Sequence, residues 1–326
     1  MLRMLHSSKD LIAAPRCLPQ AYRQPHRSVA GICIPAVPSH QEIIDYYSGS
    51  KLDYQLYNLS ADYLSMHYGF WDRTTRTHRE ALLNENRVVA ELAAICGADR
   101  VVDFGCGYGA TAIWLASHVG CHVHGITLSQ YQVEDANRLA AKHHVGRLAE
   151  FSQADYHHSV LPVASFDVVI AIESLAHSSQ KECALREAFR VLKPGGRIAV
   201  ADGFFGKPRT QLSDREQEIA RNCFAGVHVP PLPERYEFEA WLSSAGFVGV
   251  EWHDRTQAIL RTARRVNQLG RLLMPISRLC RVLGLRAIQT SHMRAFIDQY
   301  YAFRDGLGVY GVYVARKAGI RIRSDS

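Results

Sequence analysis

A strand that runs directly into a glycine-rich turn constrains this chain more than any other feature. The segment reads Val101-Val-Asp-Phe-Gly-Cys-Gly-Tyr-Gly109, with a helical pattern from Ala110. Gly105 and Gly107 have no Cβ, so the backbone there can turn tightly and approach a ligand closely. Downstream, short apolar runs alternate with helical patterns. Val123-His-Gly-Ile126 precedes a helix from Ser129, and Glu150-Phe-Ser-Gln153 is a short strand. Phe166 to Ala171 precedes a helix near Lys181 to Val191, and Gly196 to Ala201 follows. Alternation of this kind predicts a parallel sheet with helices on both faces. Such a sheet binds its ligand at the carboxyl ends of its strands, beside the switch in strand order.

A glycine turn alone does not select the ligand. A nicotinamide or flavin dinucleotide site expects an Asp or Glu roughly 20 residues further on, to hold the ribose hydroxyls. Here that region reads Gly125-Ile-Thr-Leu-Ser129, with no acid. The glycines also follow G-x-G-x-G rather than the dinucleotide spacing. Both departures argue against a dinucleotide.

Three segments together resemble the class I S-adenosylmethionine-dependent methyltransferases. They are the D-x-G-C-G-x-G turn at 103–109, Gly125-Ile-Thr-Leu-Ser-Gln-Tyr-Gln132, and Leu192-Lys-Pro-Gly-Gly196 before a strand. The second is similar to the G-I-T-L-S-x-x-Q segment of a subgroup. That subgroup holds the cyclopropane fatty acid synthases and the sterol, tocopherol and prenyl diphosphate methyltransferases. The resemblance covers about 42–316 and is most specific over 101–202. It implies a Rossmann-like, seven-stranded, mostly parallel sheet and S-adenosylmethionine as cofactor. It places Gly105 and Gly107 under the methionyl part, with Asp103 fixing the loop. Thr127, Leu128 and Gln132 would face the ribose and amino-acid groups. Asp155 would accept from the adenine amino group, with Tyr156 beside it. Cys106 is read as a small turn residue.

Methyl transfer is an in-line displacement, so the protein chiefly positions the acceptor and removes a proton. Proton acceptors belong at the end of the fourth strand, where the sequence is Ala171-Ile-Glu-Ser-Leu-Ala-His177. Glu173 and His177 match the Glu and His of the related enzymes and are the expected catalytic pair. A helix-terminal carboxylate is the plainer account of Glu173. The loop Met66-His-Tyr-Gly-Phe-Trp71 resembles one that closes over cofactor and acceptor in this subgroup. His67, Tyr68 and Trp71 are therefore expected at the substrate, with core packing of the aromatics as the alternative.

The rest of the chain divides by composition. Residues 1–38 carry scattered prolines and arginines and read as a disordered tail, with an organelle transit sequence as the alternative. Residues 39–97 read as an N-terminal helical cap containing the aromatic loop, with Thr77 capping a helix from His78 to Ile95. Residues 98–254 form the expected Rossmann-like core, with 206–232 irregular. The net charge of +7 is uneven: nine arginines and no acid lie between Arg255 and Ile297. That segment belongs to a basic helical insertion, 255–305, broken near Pro275 and Gly284 and set before a final strand within 306–318. Residues 319–326 close the chain as a tail. With Leu269, Leu272, Leu273, Ile276, Leu279 and Leu283 at helical spacing, the insertion has an apolar face. It could form a lid whose arginines hold a prenyl diphosphate, lie on an anionic membrane, or present a solvated basic face.

The eight cysteines make no C-x-x-C pair and no metal-ligand spacing, so a reducing, cytoplasmic setting fits. The histidine pairs His143-His144 and His157-His158 read as exposed polar positions rather than a metal constellation, so no metal is expected. No stretch is long and apolar enough to span a membrane. Nor is there a zinc finger or RNA-binding signature, so no nucleic-acid partner is expected. The expected partner is a hydrophobic small-molecule acceptor. C-methylation of an isoprenoid leads, O- or N-methylation of a polar small molecule is the enzymatic alternative, and a non-catalytic cofactor-binding protein is the reading from another class.

Overall fold

The computed structural model describes residues 38–46, 65–284 and 290–319. The expectations for 1–37, for 47–64 of the helical cap, for 285–289 of the insertion and for the end of the chain from 320 lie outside the described residues. Seven strands form one sheet in the order β3-β2-β1-β4-β5-β7-β6. They are β1 (Arg100–Phe104), β2 (His122–Thr127), β3 (Ala149–Gln153), β4 (Phe166–Ile172), β5 (Leu192–Phe205), β6 (Phe247–Asp254) and β7 (Gly308–Lys317). Pairing is parallel from β3 through β5, and β7 runs antiparallel to both β5 and β6. The order reverses between β2-β1 and β4-β5, which opens a crevice at the carboxyl ends of β1 and β4.

The central strands are apolar at successive positions because both faces are covered. On β1, Val101 packs in one core cluster and Val102 in another, and Val168 and Val169 of β4 divide the same way. That is the period-two alternation of a strand buried on both sides.

Helix α1 spans 40–46, and α2 is His78–Leu92. Thr77 and Glu80 cap α2 reciprocally, an arrangement worth about 1 kcal/mol. The core helices are α3 (Ala110–His118), α4 (Gln130–Lys142), α5 (Lys181–Val191), α6 (Asp214–Gly226) and α7 (Arg235–Ser244). Helices α8 (Thr256–Val282) and α9 (Thr290–Arg304) pack on each other between β6 and β7.

Three elements differ from the sequence reading. Helix α6 lies inside the stretch read as irregular. Its Ser213–Glu216 capping box is plain in the sequence, but flanking Pro208, Pro230 and Pro231 obscured it. Helix α8 continues through Pro275 without a break. Pro275 sits on the exposed face, where water can serve the carbonyl that its missing N–H leaves unmatched. Strand β5 runs on to Phe205, which carries Asp202 to Phe205 past the sheet edge toward the crevice.

Candidate active site

Two cavities of about 160 and 170 Å³ adjoin at the carboxyl ends of the strands. Met66, His67, Glu173 and His177 line both, so they form the wall between them. The smaller cavity is built on the glycine turn. The N–H groups of Gly105 and Cys106 both donate to the Ile126 carbonyl of β2, at 2.9 Å each, and so pin the turn to the sheet. Gly105 and Gly107 have φ of +78° and +53°, a region that favours glycine. A Cβ on Gly105 would lie 2.5 Å from Ser174 Cβ, and one on Gly107 would lie 3.1 Å from Met66 Cε. Asp103, Thr127, Leu128, Gln132 and Tyr156 line the same cavity. Thr127 Oγ1 donates to Gln132 Oε1 at 2.7 Å. That leaves Gln132 Nε2, Ser129 Oγ and His67 Nε2 buried with no protein partner. Burial raises the Asp103 carboxyl to about 7. Unmatched buried donors and a carboxylate beside a glycine cradle suit a polar ligand bearing a positive charge.

At the wall, Glu173 follows β4 in a left-handed backbone conformation, φ +49°. Its N–H is tied to the Ala201 carbonyl at 2.8 Å. Such a conformation is strained for a non-glycine residue and directs the side chain back across the crevice. Glu173 Oε1 accepts from the Tyr68 N–H at 2.7 Å and lies 3.0 Å from the Tyr310 hydroxyl. That hydroxyl is also 2.7 Å from Glu85 Oε1. Glu85 Oε2 in turn accepts from the Gly69 N–H at 2.7 Å and faces His67 Nδ1 at 2.8 Å. One phenol proton cannot serve two carboxylates, so the Glu85–Tyr310–Glu173 chain holds an additional proton. Burial and then the nearby Glu85 charge push Glu173 well above the usual carboxylate range, toward its neutral form. Burial lowers His177 to about 4, so its imidazole is neutral. The larger cavity extends from this wall. It is bounded by Phe205, Ala220, Cys223, Phe224, Phe296 and Phe303 with further apolar side chains, and by the carboxylates of Glu173 and Asp202. Among the described residues no lysine or arginine lines it.

Residues 102–200 match the family model described as a methyltransferase domain. The chain is 36% identical over 185 residues to 27-O-demethylrifamycin SV methyltransferase of Amycolatopsis mediterranei, covering 56% of this chain and 66% of that protein. It is 32% identical over 193 residues to the O-methyltransferase rstn1 of Aspergillus nomiae, covering 58% of this chain and 83% of that one. The chain belongs to the class I S-adenosylmethionine-dependent methyltransferases. Its cofactor is S-adenosylmethionine. The sterol 24-C-methyltransferase of Candida albicans matches at 27% identity over 203 residues, 61% of this chain and 54% of that protein. The chain thus spans about half the length of that relative. The cyclopropane synthase MmaA2 of Mycobacterium tuberculosis shares the fold, with a TM-score of 0.73 and 16% identity over 86% of this chain and 99% of that one.

Most residues expected to hold the methyltransferase's cofactor converge on one cavity, and His67, Tyr68, Glu173 and His177 converge on the wall and acceptor side. Two expected contacts do not. Asp155 does not line the cofactor cavity. Its Oδ1 faces His157 Nδ1 at 2.6 Å and its Oδ2 faces His40 at 3.5 Å, so His40 and His157 flank the mouth in its place. The ligand atoms of those three side chains lie within 4.8 Å of one another, a convergence that no sequence spacing announced. Trp71 lines neither cavity. The Gly69 turn sends it against α8, where its indole N–H donates to Thr262 at 2.8 Å and Arg261 covers its ring. Among the described residues, no arginine of the insertion lines the acceptor cavity. Arg264, Arg271 and Arg278 face solvent.

Sequence reasoning missed Glu85, Tyr310 and Asp202. Glu85 sits among polar residues of α2, and Tyr310 reads as an ordinary strand aromatic. Both acquire a role only when β7 passes α2. Asp202 accepts from the N–H groups of Ala176 and Gly203, at 2.8 Å each, and burial raises it to about 6. Its position directly after a predicted strand was the one available signal.

Proposed function

We propose that this methyltransferase methylates a neutral, largely apolar acceptor of isoprenoid or comparable hydrocarbon character, and that Glu173 takes the acceptor's proton. One observation carries the reading. The cavity beyond Glu173 and His177 is walled largely by apolar side chains, and no lysine or arginine is among its described lining residues. A prenyl diphosphate would enter this apolar cavity with no described lysine or arginine to pair with it, so the neutral acceptor is favoured.

In this reading the cofactor, when bound, supplies an electrophilic methyl group. Asp103, Gly105, Gly107, Thr127, Leu128, Gln132 and Tyr156 hold it, and the chain's own contribution is position and proton management. The aromatic faces of Tyr68 and Phe303, T-shaped to each other at 5.5 Å, and the carboxylates of Glu173 and Asp202 favour positive charge developing on an alkene carbon. With Oε1 held by Tyr68 and Tyr310, Glu173 in its ionised form receives the departing proton at Oε2.

O-methylation of a hydroxyl is the second reading. The neutral His177 imidazole at the wall supports it, as do two relatives named for O-methyl transfer. The deciding experiment offers methyl-labelled S-adenosylmethionine with neutral terpenoid alkenes, terpenoid and phenolic alcohols, and prenyl diphosphates. Carbon methylation of neutral acceptors is expected. Methyl ethers as the sole products select the second reading, and turnover of diphosphates alone overturns both.

A further inference from the structure

We propose that the carboxyl-terminal half of α8 docks on an anionic phospholipid membrane. The observation is an amphipathic helix whose second apolar face is exposed. One face of α8 packs inward through Val266, Met274 and Ser277 against α9 and the cavity wall. Leu272, Ile276 and Leu279 point elsewhere, as does Leu283, which directly follows the helix with its N–H on the Leu279 carbonyl, and each is at least half exposed. Their spacing of four, three and four places them within about 60° of one another around the axis. The stripe is continuous, and exposed Val282 widens it at the helix end. Single exposed leucines are ordinary, but an aligned set of this kind marks an interaction surface.

Charge complementarity selects the occupant. Arg264, Arg271 and Arg278 recur every seven residues and lie exposed along one flank of the stripe. The Arg271 guanidinium leans on the Tyr301 hydroxyl and stays at the surface. No acidic residue occurs between Arg255 and Ile297, so this face carries no internal counter-charge. A second copy docking stripe to stripe in the antiparallel sense would bring these arginine rows together, and in either sense it would leave them without counter-charge. An anionic lipid surface instead satisfies the arginines and covers the leucines at once. No helix among the described residues is long and apolar enough to cross a membrane, so the contact is with the surface. Val266, about 9 Å back along the same helix, lines the acceptor cavity. The docked face therefore sets that cavity close to the lipid phase.

The test is co-sedimentation of the full chain with phosphatidylcholine vesicles, with and without phosphatidylglycerol, across a salt series. Partitioning onto the phosphatidylglycerol vesicles only, weakening as salt rises, is expected. Leu272→Asn with Ile276→Asn lowers it at least about tenfold. Arg264→Gln with Arg278→Gln lowers it roughly tenfold or more and flattens the salt dependence. All variants keep wild-type affinity for S-adenosylhomocysteine, which shows that they are folded. Equal partitioning onto neutral vesicles, none onto anionic ones, or a dimer dispersed by the leucine and isoleucine changes overturns the proposal.

Discussion

The cofactor cavity is lined by the carboxyl ends of β1, β2 and β4 and the turns that leave them, whereas the acceptor cavity is walled by α6, α8, α9 and the tip of β5. The first depends on backbone: two positive-φ glycines, a turn pinned to Ile126, and a few polar groups close in sequence. The second depends on side chains brought together from distant segments, such as Phe224 of α6 and Phe303 of α9. A backbone cradle admits few substitutions, because a Cβ in the wrong place has nowhere to go. An apolar wall admits many, provided volume is kept. One scaffold can therefore hold its cofactor constant while its acceptor changes. Glu173 stands where the two meet.

Glu173→Gln tests that boundary hardest. It keeps shape and removes the proton acceptor, so turnover falls about a hundredfold or more in a single-turnover assay. Affinity for S-adenosylhomocysteine, read by calorimetry, stays near wild type. Loss of both places Glu173 in the cofactor cradle instead.

Phe224→Ala opens the acceptor side alone. The ring is buried and T-shaped to Phe205 at 5.8 Å. KM for the acceptor rises roughly thirtyfold, the scale of one lost aromatic contact, with cofactor affinity unchanged. A matched loss of cofactor affinity breaks the division into two halves.

The cofactor side is expected to be pH-dependent through Asp103. Its carboxyl is raised to about 7 by burial, and the ionised form is the one that attracts a cationic ligand. Affinity for S-adenosylmethionine therefore holds above pH 7 and falls about tenfold per unit below it, with a proton released on binding in acidic buffer. Asp103→Asn abolishes this slope, and a slope that survives assigns the proton to another group.

The smallest effect belongs to Gln132→Leu. It removes the partner of Thr127 Oγ1 and an amide nitrogen buried without a partner. Cofactor affinity drops about fivefold, the value of one modest hydrogen bond. Gly105→Val is a poorer probe of the same side. Its clash with Ser174 would disturb the turn before any ligand arrives, so a fall in melting temperature accompanies the loss of binding.

Determined by the sequence alone were the alternating strands and helices, the turn at 103–109 and the polar segment at 125–132. Local spacing sets each of these, since a strand, a glycine turn and the following helix are neighbours along the chain. Glu173 was legible for the same reason, lying directly after the fourth strand. Tertiary structure decided the rest. It set Asp155 against His157 and His40, turned Trp71 onto α8, and left Arg264, Arg271 and Arg278 of the insertion in solvent. It also joined Glu85 to Glu173 through Tyr310, three residues separated by more than a hundred positions between Glu85 and the last strand. No local pattern encodes such contacts, because they exist only where packing brings β7 across α2. The apolar stripe of α8 was visible as a period in the sequence, but only the packing of α9 shows which of its leucines are covered and which face outward.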